Sequence, residues 1–151
     1  MKLTLETIQV IRDELTRHDV TVNTQLATEL PSIMGHKGQL QEVLLNLIQN
    51  AIDAMRTITD RIRVIRVGTE LQDGKAVVIS MQDSGPGIEA KKMTSVFDAF
   101  VTTKATGMGL GLALSQMIIE RHGGQIVVVP STNHGAHFRI TLPIRNGSSP
   151  V

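Results

Sequence analysis

Leu40-Gln41-Glu42-Val43-Leu44-Leu45-Asn46-Leu47-Ile48-Gln49-Asn50-Ala51-Ile52-Asp53-Ala54-Met55 carries apolar residues at offsets of 0, 3, 4, 7, 8, 11 and 15 from its first leucine. That spacing predicts an amphipathic helix with one unbroken buried stripe, the strongest helix in the chain. At about 100° per residue, Glu42, Asn46, Gln49, Asn50 and Asp53 fall within roughly a 100° arc on the opposite side. Solvated helix faces are usually filled with Lys and Glu, and two asparagines one turn apart are poor helix formers. A carboxamide oxygen is a neutral, hard ligand suited to Mg²⁺, and it does not repel a polyphosphate as a carboxylate would. The helix alone leaves both a solvated face and a ligand face open.

Outward from this helix, Leu5, Ile8, Ile11 and Leu15 predict a first helix over Leu5 to Arg17, and Val20, Val22 and Leu26 a half-buried strand. A loop with Pro31 and Gly35 leads into the long helix. Ile62 to Val67 and Ala76 to Met81 are rich in β-branched residues and flank Asp73-Gly74, which predicts an antiparallel hairpin. A short helix is expected from Glu89 to Val96, then a Thr-rich connection from Val101 to Gly107, then a helix from Leu110 to His122 stopped by Gly123-Gly124. Ile126 to Val129 and His137 to Leu142 read as a second hairpin around Ser131 to Gly135, and the tail 145–151 as frayed.

Two glycine-bearing stretches complete the chemistry. Asp83-Ser84-Gly85-Pro86-Gly87-Ile88 ends a strand with an acid and places glycines where a flat ligand can approach the backbone. An ionised Asp is acceptor-only, so Asp83 suits an exocyclic amine; a plain tight turn is the alternative. Gly107-Met108-Gly109-Leu110-Gly111-Leu112 opens a helix, whose unpaired N–H groups and positive dipole end attract phosphate oxygens. It has neither the Rossmann spacing nor the Gly-Lys-Ser/Thr of a Walker loop. A packing contact that needs a small residue explains Gly111 but not three glycines.

Composition removes other classes. The 151 residues suit one domain with an ordinary 41% hydrophobic and 19% charged content. Without cysteine, disulfides, thiol catalysis and cysteine-ligated metal are excluded. A formal charge of +1 and only three phenylalanines speak against a nucleic-acid binder. His134 and His137 have a metal-site spacing but no third ligand beside them. His122 suits a helix C-terminus through the dipole, and Met55, Met81 and Met117 read as core filler.

The order Leu44 to Ala54, then Asp83 to Ile88, then Val96-Phe97-Asp98-Ala99-Phe100 with Thr102-Thr103-Lys104, then Gly107 to Leu112 with His122-Gly123-Gly124 resembles the catalytic, ATP-binding domain of two-component sensor histidine kinases. In that family these are the N, G1, F and G2 boxes, and the likeness runs from about Leu3 to Ile144. The resemblance implies an α/β Bergerat fold over 1–144, a two-layer sandwich of a mixed, mostly antiparallel sheet with helices on one face. It implies ATP and Mg²⁺ as ligands, with Asn50 as the metal ligand and Asn46 beside it facing the phosphates. Asp83 would accept from the adenine N6 amine, and Gly85, Gly87 and Ile88 would shape its pocket. Val101 to Thr106 would form the ATP lid, with Phe97 and Phe100 at its base. Asp53, Thr102, Thr103, Met108, Leu110 and Leu112 would complete the nucleotide site; Gly107, Gly109 and Gly111 would close over the triphosphate, and Lys104 would reach the γ-phosphate.

Hydrolases of the same superfamily, such as the gyrase B subunit, carry a water-activating glutamate where Asn46 stands, and a carboxamide is not a general base. The resemblance therefore implies phosphoryl transfer to a protein histidine. No histidine here fits the acceptor box, so the dimerisation domain that carries it is expected as a partner outside these residues, with a response regulator downstream. Neither nucleic-acid binding nor membrane insertion by this domain is expected, and its setting is expected to be cytoplasmic, any membrane attachment belonging to the parent kinase. A nucleotide-gated interaction module or an anti-sigma-factor-type serine kinase is the alternative.

Overall fold

The structure, a computed structural model, describes residues 2–31, 33, 35–93, 95–98, 111–130 and 135–144. Among these residues, four α-helices, α1 (Lys2–Val10), α2 (Arg12–Arg17), α3 (Lys37–Ala54) and α4 (Gly111–Arg121), accompany five strands. These are β1 (Thr21–Gln25), β2 (Val64–Gln72), β3 (Ala76–Asp83), β4 (Gln125–Val128) and β5 (His137–Pro143), in the sheet order β1-β2-β3-β5-β4. The β1–β2 pair is parallel and the other three are antiparallel. A parallel pair needs a crossover, and α3 supplies it, which lays the long helix across the sheet.

Register puts one face of the sheet inward. Val67 pairs with Met81 and Met81 with Phe138, while Ile79 and Ile126 both pair with Ile140. All are buried, and they form one core with Leu40, Val43, Leu44, Leu47, Ile48, Ala51 and Ile52 of α3 and Ile118 and Ile119 of α4. Arg66, Glu70 and Arg139 alternate outward and are exposed. Among the described residues the sheet therefore packs helices on one face only, as the resemblance implies. No helix among the described residues is long and apolar enough to cross a membrane.

The predicted first helix is corrected in both extent and phase. It starts at Lys2 and breaks at Ile11 (φ −101°, ψ 10°) into α1 and α2. Its inward positions are Leu3, Thr4, Thr7 and Leu15, whereas Leu5 is 53% exposed. Thr7 can sit inside because its hydroxyl donates to the Leu3 carbonyl at 2.7 Å, so a threonine occupies a place that hydropathy reserves for an apolar side chain.

Other boundaries move for local reasons. The long helix begins at Lys37 and Met55 is its C-cap. The first strand of the predicted hairpin starts at Val64, leaving Ile62 exposed, and runs on to a turn in which Asp73 (φ 53°) and Gly74 (φ 66°) both take positive φ. Lys75 N–H donates to the Gln72 carbonyl across it, the mirror-image turn that suits strand twist. The expected helix Glu89 to Val96 is instead a 3₁₀ turn, Ala90–Lys92, followed by further tight turns with i to i+3 bonds from Ser95 to Lys92 and Asp98 to Ser95. The last helix does end at Gly123 (φ 77°), where Gly124 N–H reaches the Ile119 carbonyl and Gly123 N–H the Glu120 carbonyl, a Schellman motif. The expected Val101 to Gly107 connection, most of the turn after Ser131, and the 145–151 tail lie outside the described residues.

Candidate nucleotide site

Asp83 is the last residue of β3 and is 6% exposed. Its Oδ1 accepts backbone N–H bonds from Gly85 at 2.9 Å and Ala136 at 3.1 Å. Among the described residues Oδ2 receives no bond and is open to a further donor. Burial raises the Asp83 carboxyl pKa above its usual value, and the two backbone N–H groups partly offset that. The close approach of the β5 entry requires glycine: Gly135 takes φ 101°, and a Cβ there would overlap the Asp83 carbonyl oxygen. Gly87, at φ 87°, lies against the Gly135 carbonyl. Gly87 was expected in this role from the sequence; Gly135 was not, because it sits 52 residues from Asp83 and only sheet pairing brings the two together.

The polar face of α3 is half-buried rather than solvated, except for Glu42. Asn46 Nδ2 donates to Ser115 Oγ at 3.3 Å and to the Gly111 carbonyl at 3.4 Å, which joins α3 to the first turn of α4. Ser115 is wholly buried and donates in turn to the Gly111 carbonyl at 2.8 Å. A Cβ on Gly111 would meet the Asn46 carboxamide at ordinary contact distance, 3.8 Å, so this glycine borders α3 rather than packing on the sheet. Asn50 is half-buried and makes no side-chain hydrogen bond among the described residues. Asp53 Oδ1 accepts from Gln49 at 3.1 Å and pairs with Arg56 at 3.2 Å.

The acidic turn meets the end of the same helix. Gly85 is buried, and a Cβ there would lie 3.4 Å from the Ala54 carbonyl and 3.0 Å from Asp83 Oδ1. Ser84 Oγ accepts from Val64 N–H, donates to the Ile62 carbonyl and touches Met55 Sδ at 3.3 Å. Thus α3 carries Asn46 against α4 and sets its C-terminal end against the turn after Asp83. Leu112 and Ile88 are half-buried beside the core. Phe97 meets Phe138 edge-on, with centroids 6.1 Å apart, which anchors the segment after the 3₁₀ turn. Phe100, Thr102, Thr103, Lys104, Gly107, Met108, Gly109 and Leu110 lie outside the described residues.

One sequence reading near the site is extended and one corrected. His122 ends the helix and also links elements: Nδ1 donates to the Ile118 carbonyl at 2.8 Å while Nε2 accepts from His36 N–H at 2.9 Å, which ties α4 to the start of α3. Met117 is 42% exposed and not core filler, unlike Met55 and Met81.

A family profile described as histidine kinase-, DNA gyrase B- and HSP90-like ATPase matches residues 35–146, which includes both asparagines, Asp83 and Gly111. The chain belongs to this ATPase family. Within it, the chain is 36% identical over 140 residues to the sensor protein TdiS of Thauera aromatica, covering 92% of this chain and 26% of TdiS. It is 39% identical over 139 residues to the signal transduction histidine-protein kinase AtoS of Escherichia coli (strain K12), covering 92% of this chain and 22% of AtoS. The chain thus spans about a quarter of the length of these curated relatives. The nucleotide-free catalytic domain of the histidine kinase ThkA superposes with a TM-score of 0.81 at 27% identity, over 94% of this chain and 92% of that one. Full-length ShkA in complex with AMPPNP gives 0.83 at 25% identity, over 99% of this chain and 31% of that one. The ATPase family's mixed sheet with helices on one face is the fold the boxes imply.

Proposed function

We infer that the chain is the Mg-ATP-binding catalytic domain of a sensor histidine kinase, which transfers the γ-phosphoryl group to a histidine on a dimerisation domain. The observation that carries this reading is Asp83, a buried acid at a strand end with one oxygen saturated by backbone N–H groups and the other open. Such a group accepts a hydrogen bond and cannot donate one, which selects an amine-bearing purine edge. Gly85, Gly87 and Ile88 frame that edge. Kinship with sensor kinases such as TdiS and AtoS supports the acceptor type.

Asn50 has the chemistry to hold Mg²⁺: its carboxamide is half-buried and unbonded among the described residues. When bound, the ion would neutralise phosphate charge. Asn46 keeps its amide nitrogen on α4 and leaves its oxygen for the site, and it cannot deprotonate water. The chain's residues therefore position and shield rather than perform acid–base chemistry. Lys104 is assigned to the γ-phosphate. Thr102 and Thr103 are assigned to the lid over 101–106, with Phe100 at its base; Gly107, Gly109 and Gly111 are assigned to closure over the triphosphate, and Asp53, Met108, Leu110 and Leu112 to the rest of the nucleotide site. A response regulator is the expected recipient downstream.

The test mixes this chain with a candidate dimerisation domain and labelled ATP. Acid-labile phosphate on that domain supports a histidine acceptor; acid-stable phosphate points to a serine kinase of the same family, and no transfer with intact binding to a nucleotide-gated module. Asn50→Ala should retain the fold and lose the Mg²⁺ dependence of nucleotide binding.

A further inference from the structure

We propose that Arg61 is a positioning residue for purine recognition, holding the peptide plane that orients the Asp83 carboxylate. This rests on the reading of Asp83 as the purine-binding acid. Arg61 lies in the loop from α3 to β2, outside every motif of the sequence. Its guanidinium presents the Nε/Nη2 edge to two successive carbonyls, Ser84 at 2.8 Å and Gly85 at 3.0 Å. Nη1 is neutralised by Asp60, at 3.1 and 3.2 Å to its two carboxylate oxygens. The side chain is only 23% exposed, so the fork is shielded on its way to the turn.

The peptide unit between Ser84 and Gly85 is the link. Its carbonyl oxygen accepts from Arg61 Nε, and its N–H donates to Asp83 Oδ1 at 2.9 Å. A peptide is planar, so fixing the oxygen at one end fixes the direction of the N–H at the other. Hydrogen bonding at the carbonyl also polarises the unit and strengthens the N–H as a donor. Arg61 thereby fixes the direction from which one Asp83 oxygen is held, and with it the orientation of the carboxylate. A lysine cannot replace it, because an ammonium lacks the planar fork that meets two carbonyls at once.

A double-mutant cycle on this chain with Mg-ADP as probe tests the assignment, read by calorimetry together with the Gly85 amide proton shift. Arg61→Ala should weaken ADP binding about tenfold in the wild-type background and by less than about twofold in Asp83→Asn, because the plane acts on the nucleotide through that carboxylate. It should also narrow the preference for ADP over GDP and move the Gly85 resonance. Should Arg61→Ala not fold, Arg61→Lys keeps the stem and charge; the same coupled loss is expected, smaller in size. Equal losses in both backgrounds, or unchanged affinity beside a weakened Asp83→Asn, would overturn the proposal while leaving the purine reading intact. Wild-type affinity in Asp83→Asn would overturn the purine reading, and the role of Arg61 with it.

Discussion

At Asp83 a fold requirement and a binding requirement fall on different oxygens of one side chain. Oδ1 serves the turn and the β5 entry, and Oδ2 serves the ligand. An asparagine can keep the carbonyl oxygen on the two backbone N–H groups and turn its amine outward, where it would face another donor. Asp83→Asn should therefore bind ATP about 10- to 100-fold more weakly, the value of a hydrogen bond to a charged group, without loss of stability in chemical denaturation. The pH dependence has a fixed sign. Because burial raises the folded-state pKa, the folded chain holds this proton more tightly than the unfolded chain does. The contribution of Asp83 to stability thus falls as pH rises from the ordinary 3.8 through the raised folded value, and nucleotide affinity grows over that same window. Asp83→Asn should flatten both slopes, as denaturation and binding series across acidic pH would record.

At the scale of elements, α1 offers the clearest check on the packing. Leu3 is 3% exposed and Leu5 53%, so Leu3→Ala should cost about 2 to 5 kcal/mol in urea denaturation while Leu5→Ser stays within about 0.5 kcal/mol. Equal costs would restore the phase that the hydropathy pattern suggests. Thr4 is buried with a hydroxyl that finds no partner among the described residues, and Thr4→Val should add about 1 kcal/mol. These details were illegible in the sequence because two inward threonines hide the stripe. In contrast, the buried stripe and C-terminal end of α3 were legible, since seven apolar positions repeat without interruption, although the helix starts three residues earlier, at Lys37; Gly123-Gly124 marked the end of α4 through backbone conformation alone. Asp83, Asn46 and Asn50 stood out because their residue types conflict with a plain strand end or helix interior. Gly135, Ser115 and Arg61 did not, because each acts through a contact distant in sequence: a close approach to Asp83, a bond to Asn46, or bonds to the turn after Asp83. The short helix expected after Ile88 failed for a local reason, a run of i to i+3 turns in which Ser95 bonds back to the Lys92 carbonyl by both its N–H and its hydroxyl.

For the whole molecule, one helix organises the site. The crossover α3 faces the core on one side, and on the other it meets α4 through Asn46 and the acidic turn at its C-terminal end. Nucleotide between these parts would bridge elements that are otherwise joined by few polar bonds. Mg-ATP at 100 times its dissociation constant should then stabilise the chain by about 2.7 kcal/mol, raising the melting temperature by roughly 5 to 11 °C for a domain of this size. The central claim, an adenine ring read by a lone carboxylate, is tested most directly by calorimetric titration of wild type and Asp83→Asn with Mg-ATP and with Mg-GTP. The account predicts that wild type prefers ATP, and that Asp83→Asn loses that preference while its fold is retained. Equal affinity of wild type for the two nucleotides, or a preference for ATP that survives in Asp83→Asn, would contradict it.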